Sequence, residues 1–523
     1  MELLPWCLCL LLLLLPALVL LELHCHRTPR ATAPLTRLPP GPWRLPVIGS
    51  LHHLLTMKDA RLVHRAMAVL ARRCNAPVMY VQLGELHVVV VSSANAAREV
   101  IREHDANFAT RTMTMTMRDT IGDMVGLVLS PHGAMWRRLR RICTVQLLSA
   151  RRVRSFRPIR EDEAARLAHA IATDTRAAAP GERQVMNVSE LVSRLVSDTV
   201  LRAIMGERFR WREEFMATLA KAMMKGAEFS AADLFPSSRL LRTIGSTLRE
   251  AKALNTKLFG LVDRAIDQRR ERKAGVAAED DDNEMRDLLD VLLRLQEHDD
   301  HDCALPLPTI KAVILDMFGT GSSTTSTTIQ WAILELMRNP KVMQKVQQEI
   351  RHALGCKSRV TEDDLINLKY LKLVIKETFR LHPATAVLFP KECQESCKIL
   401  GYDVPKGMLM IMNVWAIGRD PEYWDDAEVF KPERFEGITV DFKGTDFQFL
   451  PFGGGRRMCP GIMFAHANIE LALATLLYHF DWQLPPGVTP DAVDMTEKFG
   501  VDVRPKRDVY LCPILVVPPE AEA

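Results

Sequence analysis

The residues best suited to carry chemistry lie between positions 449 and 465, in the stretch FLPFGGGRRMCPGIMFA. Its glycines allow the backbone to turn tightly and to approach a flat ligand closely, because no Cβ intervenes. Cys459 stands beside Arg456 and Arg457 and ahead of an apolar helical pattern, so the helix dipole and the guanidinium groups favour its thiolate. No second Cys or His stands at metal-binding spacing. The thiolate therefore suits a metal whose other ligands come from elsewhere, as in a porphyrin.

The spacing Phe452-x-x-Gly455-x-Arg457-x-Cys459-x-Gly461 resembles the haem-ligand signature of the cytochrome P450 family of haem-thiolate monooxygenases. The resemblance implies that Cys459 is the axial ligand of haem iron and that the other named positions shape the cofactor-binding loop. The alternative is a glycine-rich turn beside a buried structural cysteine, and the number of fixed positions argues against it.

A second unusual stretch, GTGSSTTS at residues 319–326, interrupts a helical pattern predicted over 310–337. Glycines and hydroxyls cost helix stability and can bend a helix, so the stretch predicts a functional site or a locally weak helix. It resembles the family's oxygen-binding groove, A/G-G-x-D/E-T. The resemblance implies that Gly321 and Thr324 are catalytic, with Thr324 hydrogen-bonding dioxygen and supporting the proton delivery that cleaves it.

Two positions in this groove depart from the family pattern. Thr320 replaces a small residue, and Ser323 stands where an acid is usual. A serine cannot gather protons as a carboxylate does, so proton delivery is expected to run through hydroxyls and water, with slower or leakier turnover. On this hypothesis, replacing Ser323 with aspartate should raise the product formed per NADPH.

Other motifs predict how haem carboxylates are held. Trp136 and Arg140 share one helix face, where an indole N–H and a guanidinium suit a carboxylate, although a basic surface helix is the commoner explanation. They resemble the family's W-x-x-x-R, which implies contacts with haem propionates. The remaining arginines of residues 137–141 predict a cationic docking face for an electron donor. Pro390-Lys391-Glu392 resembles the family's P-R-E, so Lys391 is predicted to reach a propionate as a point charge.

A structural pair is predicted on another helix, where Glu377 and Arg380 stand at i and i+3. Such a spacing is weak evidence alone, but Arg434 follows at the distance expected in the family. The resemblance implies a Glu-Arg-Arg triad that locks the loop behind the haem. Its role would be structural, because a buried pair that loses one member leaves a charge stranded.

The rest of the chain predicts a mainly α protein with small β-sheet regions. Residues 78–84 and 87–92 read as β-branched strands, and brief strands recur near 398–411 and at the carboxyl end. The length of 523 residues alone favours about three domains. No change in composition after residue 50 supports a division into several domains. The prediction is therefore a single large haem domain with the cytochrome P450 fold, as the resemblance implies.

The amino terminus predicts a membrane anchor. Residues 3–21 form an uncharged leucine-rich run that would span about 28 Å as a helix, close to a bilayer core. A cleaved signal peptide is the alternative, but Glu2 precedes the run and Arg27, Arg30 and Arg37 follow it, which places the remainder in the cytoplasm. The predicted organisation is an anchor at 1–23, a basic and proline-rich hinge at 24–50 and a catalytic domain at 51–523. The expected location is the endoplasmic reticulum membrane, with a single pass.

Composition excludes other classes. A net charge of +4 is too small to indicate nucleic-acid binding, and 11 scattered cysteines indicate free thiols in a reducing compartment. Acidic runs at 280–282 and 298–303 are typical of solvated loops, so no metal is assigned there. The Met- and Thr-rich residues 111–130 suit either an apolar substrate lining or an ordinary loop.

These motifs together resemble plant A-type microsomal members of the family. The resemblance implies haem b as cofactor, O2 as co-substrate and NADPH as electron source through NADPH-cytochrome P450 reductase. The expected reaction is hydroxylation of a small hydrophobic specialised metabolite, with a terpenoid first and an indole or phenylpropanoid derivative next. Two alternatives stay open: a haem-thiolate lyase or isomerase that acts without NADPH, and a non-catalytic haem- or ligand-binding membrane protein.

Overall fold

The computed structural model describes residues 37–57, 61–114, 117–118, 126–177, 183–206, 209–227, 230–244, 246–275, 287–297 and 305–520. The chain divides into two compact units, Met1–Leu38 and Pro39–Ala523, and the larger one contains the features that follow. Among the described residues, no helix is both long and apolar enough to span a membrane, and the predicted anchor lies outside them. The predicted domain boundaries at residues 23 and 50 stay predictions.

Helices make up most of the larger unit. In chain order they are α1 Leu51–Thr56, α2 Val63–Arg73, α3 Ala94–Arg102, α4 Ala134–Ile142, α5 Ala150–Ser155, α6 Arg157–Ala177, α7 Val188–Met205, α8 Arg212–Ala227, α9 Ala231–Leu234, α10 Arg239–Ile244, α11 Ser246–Gly275, α12 Leu288–Glu297, α13 Leu307–Arg338, α14 Pro340–Leu354, α15 Lys369–Leu381, α16 Val414–Ile417 and α17 Ile462–His479. The prediction of a mainly α protein is confirmed.

The strands form small sheets. They are β1 Val78–Leu83, β2 Leu86–Val91, β3 Met186–Asn187, β4 Lys391–Glu392, β5 Cys397–Ile399, β6 Tyr402–Val404, β7 Leu409–Met412, β8 Phe480–Gln483, β9 Glu497–Lys498, β10 Arg504–Pro505 and β11 Tyr510–Leu515. The sheet nearest the site has the order β1-β2-β7-β4, in which β2 and β7 are parallel and the other pairs antiparallel. The β1–β2 hairpin falls where β-branched residues predicted it, with Gly84 at φ +62° in its turn.

The long helix α13 forms the centre of the fold. It begins after Pro306, three residues before the predicted start, and ends at Arg338, where Asn339-Pro340 starts α14. Its second half is buried on nearly every side, and Trp331 has no exposed surface. Helices α7 and α17 pack against α13, and α17 is so apolar that it is buried around most of its circumference. These helices hold the two sides of the candidate site at a fixed separation.

Residues 39–50 lie against β1 in the larger unit. The Tyr80 N–H donates to Pro40 O at 2.9 Å, and a Cβ on Gly41 would lie 2.0 Å from Tyr80 O. Residues 39–50 of the predicted hinge are therefore held by a strand of the large unit.

Candidate active site

The loop that carries Cys459 is closed by a backbone hydrogen bond, in which the Cys459 N–H donates to Phe452 O at 3.0 Å. The Phe452 ring is fixed by edge contacts with Phe379 and Phe442, at ring-centre distances of 5.0 and 5.4 Å. Gly461 caps α17, so Cys459 lies just ahead of a helix amino terminus, as the sequence predicts. The cysteine is thus held between an aromatic cluster and a helix dipole.

Gly455 is required by its surroundings. Its φ is +67°, and a Cβ there would lie 2.2 Å from Asp105 Oδ1. Asp105 in turn accepts hydrogen bonds from the Arg456 N–H at 3.2 and 3.0 Å, which ties the glycine turn to the residues after α3. A side chain at position 455 would break this link and move the cysteine loop.

Burial raises the pKa of the Cys459 thiol, and three features oppose that effect. The Gly461 N–H donates to the sulfur, and the positive charges of Arg140 and Arg111 favour the thiolate. The sequence pointed to Arg456 and Arg457 as the favouring charges. The structure instead brings Arg140 from α4 and Arg111 from the segment after α3 close enough to act.

Cys459 opens into a cavity with an empty volume of about 1880 Å³, its open mouth included. The cysteine loop, α4 and the middle of α13 all contribute to its lining. The sequence-predicted residues that line this cavity are Trp136, Arg140, Gly321, Ser323, Thr324, Lys391, Phe452, Arg457, Cys459 and Gly461. Residues far apart in the chain thus meet around one space.

A cluster of cationic groups lies at the rim of the cysteine loop. Arg457 stacks over the Trp136 ring, with 4.3 Å from its guanidinium carbon to the ring centre. A β-bridge joins Arg111 to Lys391 and brings both beside Arg457. Burial and mutual repulsion lower the pKa of Lys391 to about 8 and that of Arg457 to about 9. The cationic side chains of this cluster therefore repel one another and lack enough anionic partners to offset that repulsion.

Haem fits this cluster by the chemistry of the donors present. Among the described residues, Trp136 Nε1 and Arg111 Nε are buried and have no hydrogen-bond partner. Buried donors of this kind require an acceptor, and repelling cations require an anion. A flat group with carboxylates at one edge and a metal over Cys459 would satisfy both requirements.

The α13 hydroxyls mostly bond to their own helix. Thr324 Oγ1 donates to Thr320 O at 2.6 Å, and Ser322 Oγ donates to Phe318 O at 2.6 Å. The helix is continuous from 307 to 338, and these hydroxyls donate to carbonyl oxygens of its preceding turn. A Cβ on Gly321 would lie 3.7 Å from Val200 of α7, an ordinary contact.

Ser323 behaves differently from its neighbours. Its hydroxyl donates to Asp502 Oδ2 at 2.8 Å, and the Thr327 hydroxyl donates to the same oxygen at 2.6 Å. Asp502 lies between β9 and β10 and also lines the cavity. The acid that is missing from position 323 thus has a counterpart beside it, from a segment 179 residues further along the chain.

The predicted structural triad is assembled in the structure. Both Glu377 oxygens accept from Arg380 at 2.8 Å, and Oε1 also accepts from Arg434 Nε at 2.8 Å. Arg380 donates further to the carbonyl oxygens of Gly418 and Ala427. The carboxylate has no exposed side-chain surface. The group ties α15 to residues 418–434, and it does not line the cavity.

Two residues near the site were not singled out by the sequence. Arg111 stands in the Met- and Thr-rich stretch, and its Nη1 donates to Val128 O at 2.7 Å. Asp316 accepts from the Val128 N–H at 2.9 Å, and burial raises its pKa to about 6. The available signal in the sequence was that Arg111 and Asp316 each stand among mostly uncharged neighbours. Together they hold the chain around residue 128 against α13.

Comparison with known proteins gives a consistent result. The family model described as Cytochrome P450 matches residues 39–512. Desmethyl-deoxy-podophyllotoxin synthase of Sinopodophyllum hexandrum is 43% identical over 92% of this chain and 92% of its own length. Zealexin A1 synthase of Zea mays is 42% identical over 93% and 94%. Germacrene A hydroxylase of Barnadesia spinosa is 41% identical over 91% and 92%.

Proposed function

Because the chain belongs to the cytochrome P450 family and is a haem-thiolate monooxygenase, we propose that it hydroxylates a small hydrophobic plant metabolite, a terpenoid first. Electrons would come from NADPH through NADPH-cytochrome P450 reductase. The observation that supports the reaction best is the cavity, which is lined by both Cys459 and Thr324. A substrate held between them would meet the cofactor and the proton-handling hydroxyls at once.

The residues divide the work between holding the cofactor and shaping the reaction space. Haem, when bound, supplies oxygen activation that no side chain here can provide. Cys459 would hold the iron, and Trp136, Arg140, Lys391 and Arg457 would hold the carboxylates. The cavity between α7 and α13 would position the substrate and exclude water.

Part of the cavity wall suits an apolar substrate. Apolar side chains on four helices, α7, α8, α12 and α13, contribute to its lining. The aliphatic residues concerned are Val200, Ala203, Ile204, Met223, Leu288 and Val313. Apolar walls with a few polar groups are typical of sites for hydrophobic small molecules. Relatives named for hydroxylation of ent-isokaurene, ent-cassadiene and germacrene A support a terpenoid as the first substrate to test.

We also propose a reductase-facing surface and a membrane anchor. On α4, Arg137 and Arg141 are exposed while Trp136 and Leu139 of the same helix are buried. Exposed positive charge next to the cysteine loop would steer an acidic electron donor toward the haem. Residues 3–21 would hold the chain in the endoplasmic reticulum membrane. Deleting them should move the protein from the microsomal pellet to the supernatant in carbonate-free buffer.

The function is tested in microsomes that contain this protein and a plant reductase. Reduced microsomes under CO should give the absorbance band near 450 nm that reports a thiolate-ligated haem. Germacrene A, ent-cassadiene and aromatic precursors are then supplied with and without NADPH, and product mass is followed. An NADPH-dependent gain of one oxygen supports the proposal. An NADPH-independent rearrangement would identify a lyase or isomerase, and a CO band without any product would identify a binding protein.

A further inference from the structure

We propose that Asp502 is the residue that supplies protons to the oxygen-handling side of the cavity, acting through Ser323. The proposal rests on the monooxygenase function and adds to it a residue outside α13. Of the described residues that line the cavity, those with a carboxylate are Asp316 and Asp502. Asp316 is engaged by the Val128 N–H and by the charge of Arg111, whereas Asp502 is bonded to hydroxyls of α13.

The segment that carries Asp502 is held firmly against α13. The Trp331 Nε1–H donates to Val503 O at 2.8 Å, and the Val503 N–H donates to Ala384 O at 2.7 Å. Trp331 itself is stacked on His382 at a ring-centre distance of 4.3 Å. The backbone next to Asp502 is therefore fixed to α13 and to the loop after α15, which keeps the carboxylate close to the α13 hydroxyls.

The geometry suits a relay of one proton. Ser323 and Thr327 both donate to Asp502 Oδ2, which is the arrangement of an ionised carboxylate. When Asp502 takes up a proton from solvent, its O–H can donate to Ser323 Oγ. Ser323 then passes its own proton to water beside Thr324, in the cavity, and that water would release one of its own protons to the oxygen being reduced. Asp502, Ser323 and the water each gain one O–H bond and lose one, no electrons move within the relay, and Asp502 returns to the carboxylate.

Structural support alone would give the same hydrogen bonds, so the variants must separate the two roles. Asp502→Asn keeps an oxygen that accepts from both hydroxyls but holds no transferable proton. Asp502→Glu keeps the acid and tests rescue. Asp508→Asn is the matched control, because Asp508 lies in the next loop, between β10 and β11, outside the cavity, and accepts from Asn187 Nδ2 at 3.0 Å.

The measurement needs no substrate. In microsomes with reductase, each variant oxidises NADPH, and the oxygen is released either as hydrogen peroxide or, after proton-dependent O–O cleavage, as water. Positioned proton donors contribute about 10²-fold or more to such steps. We therefore expect Asp502→Asn to raise the ratio of hydrogen peroxide to NADPH several-fold, toward one, with Asp502→Glu and Asp508→Asn near the wild type. The infrared stretch of CO on the reduced protein should shift in Asp502→Asn alone.

A swap variant gives a second, independent test. Ser323→Asp on its own, which the sequence suggested would improve coupling, would place a second carboxylate against Asp502 and should bring no gain. Ser323→Asp combined with Asp502→Thr returns the acid to α13 and should restore a low peroxide ratio. If Asp502→Asn matches the wild type in both peroxide ratio and CO stretch, Asp502 is structural and the proposal is overturned. Loss of the 450 nm band in the wild type would instead overturn the proposed function.

Discussion

Replacing Lys391 with arginine should make haem retention independent of pH in the range where the wild type loses affinity. In the cavity without haem, burial beside Arg111 and Arg457 lowers the pKa of Lys391 from 10.5 to about 8. A bound carboxylate stabilises the ammonium form and raises that pKa again, so haem binding takes up a proton. Below about pH 8, Lys391 already carries this proton in the protein without haem. Above about pH 8, haem affinity should fall about tenfold per pH unit, or about 1.4 kcal/mol, until the pH reaches the pKa that Lys391 has in the haem-bound protein.

The size of the effect has an upper bound. If haem restores the ordinary lysine value of 10.5 from about 8, the full interval corresponds to about 3.4 kcal/mol of haem affinity. The ordinary pKa of arginine lies about 2 units above that of lysine. The arginine variant should therefore hold its charge over most of this range, offer a bidentate donor, and keep most of the affinity that the wild type shows at neutral pH. Lys391→Gln removes the charge. Its haem affinity should also be independent of pH, but weaker than that of the arginine variant.

The assay is haem transfer from the purified protein to an excess of a scavenging apoglobin, followed by absorbance at about pH 7 and about pH 9. Lys406→Arg is the matched control, because Lys406 is exposed and lies outside the cavity. The wild type and the control should lose haem faster at the higher pH, and Lys391→Arg should not. An equal pH dependence in the wild type and Lys391→Arg would refute the assignment of Lys391 to a haem carboxylate.

Three further changes test other parts of the site. Glu377→Gln leaves the buried guanidinium of Arg380 without its anion and should cost about 3–5 kcal/mol of stability, seen as a lower midpoint in urea and little 450 nm band. Trp136→Phe keeps an aromatic ring for Arg457 to stack on but removes the indole N–H, which has no partner in the protein. Haem affinity should therefore fall about tenfold or more in a haem titration. Asp316→Asn removes a carboxyl whose pKa is raised to about 6. The unfolded chain releases that proton at the ordinary carboxyl pKa of 3.8. The wild type therefore loses stability as pH rises from about 4 to about 6, and the variant should flatten the thermal midpoint over that interval.

Local patterns in the sequence were sufficient to predict much of the fold. The period of apolar residues in α13 and the Val-rich strands β1 and β2 predicted those elements to within a few residues. Glu377 and Arg380 are close in sequence, so one helix turn brings them together. In such cases the physical determinant is contained in a short window of chain.

Residues brought together by the fold were harder to predict. Ser323 read as a missing acid, because nothing near it in sequence reveals that Asp502 packs beside its hydroxyl. Arg111 lies in a stretch of methionine and threonine, and only its bridge to Lys391 shows that it belongs to the cationic cluster. Both contacts depend on how β-strands and loops of distant segments are placed, which local propensity does not determine.

Arg457 has a consequence for how this protein can change over evolutionary time. Its guanidinium donates to the carbonyl oxygen of Ala109, just before the Met- and Thr-rich stretch, and to those of Leu127 and Ser130, near the end of that stretch. These bonds use main-chain atoms, so they impose no demand on the side chains between them. Insertions in a loop whose ends are already fixed cost little closure entropy. Mutation can therefore change side chains after Arg111 and before Gly126 while the cysteine loop keeps its geometry, which would make new specificities accessible without loss of the cofactor.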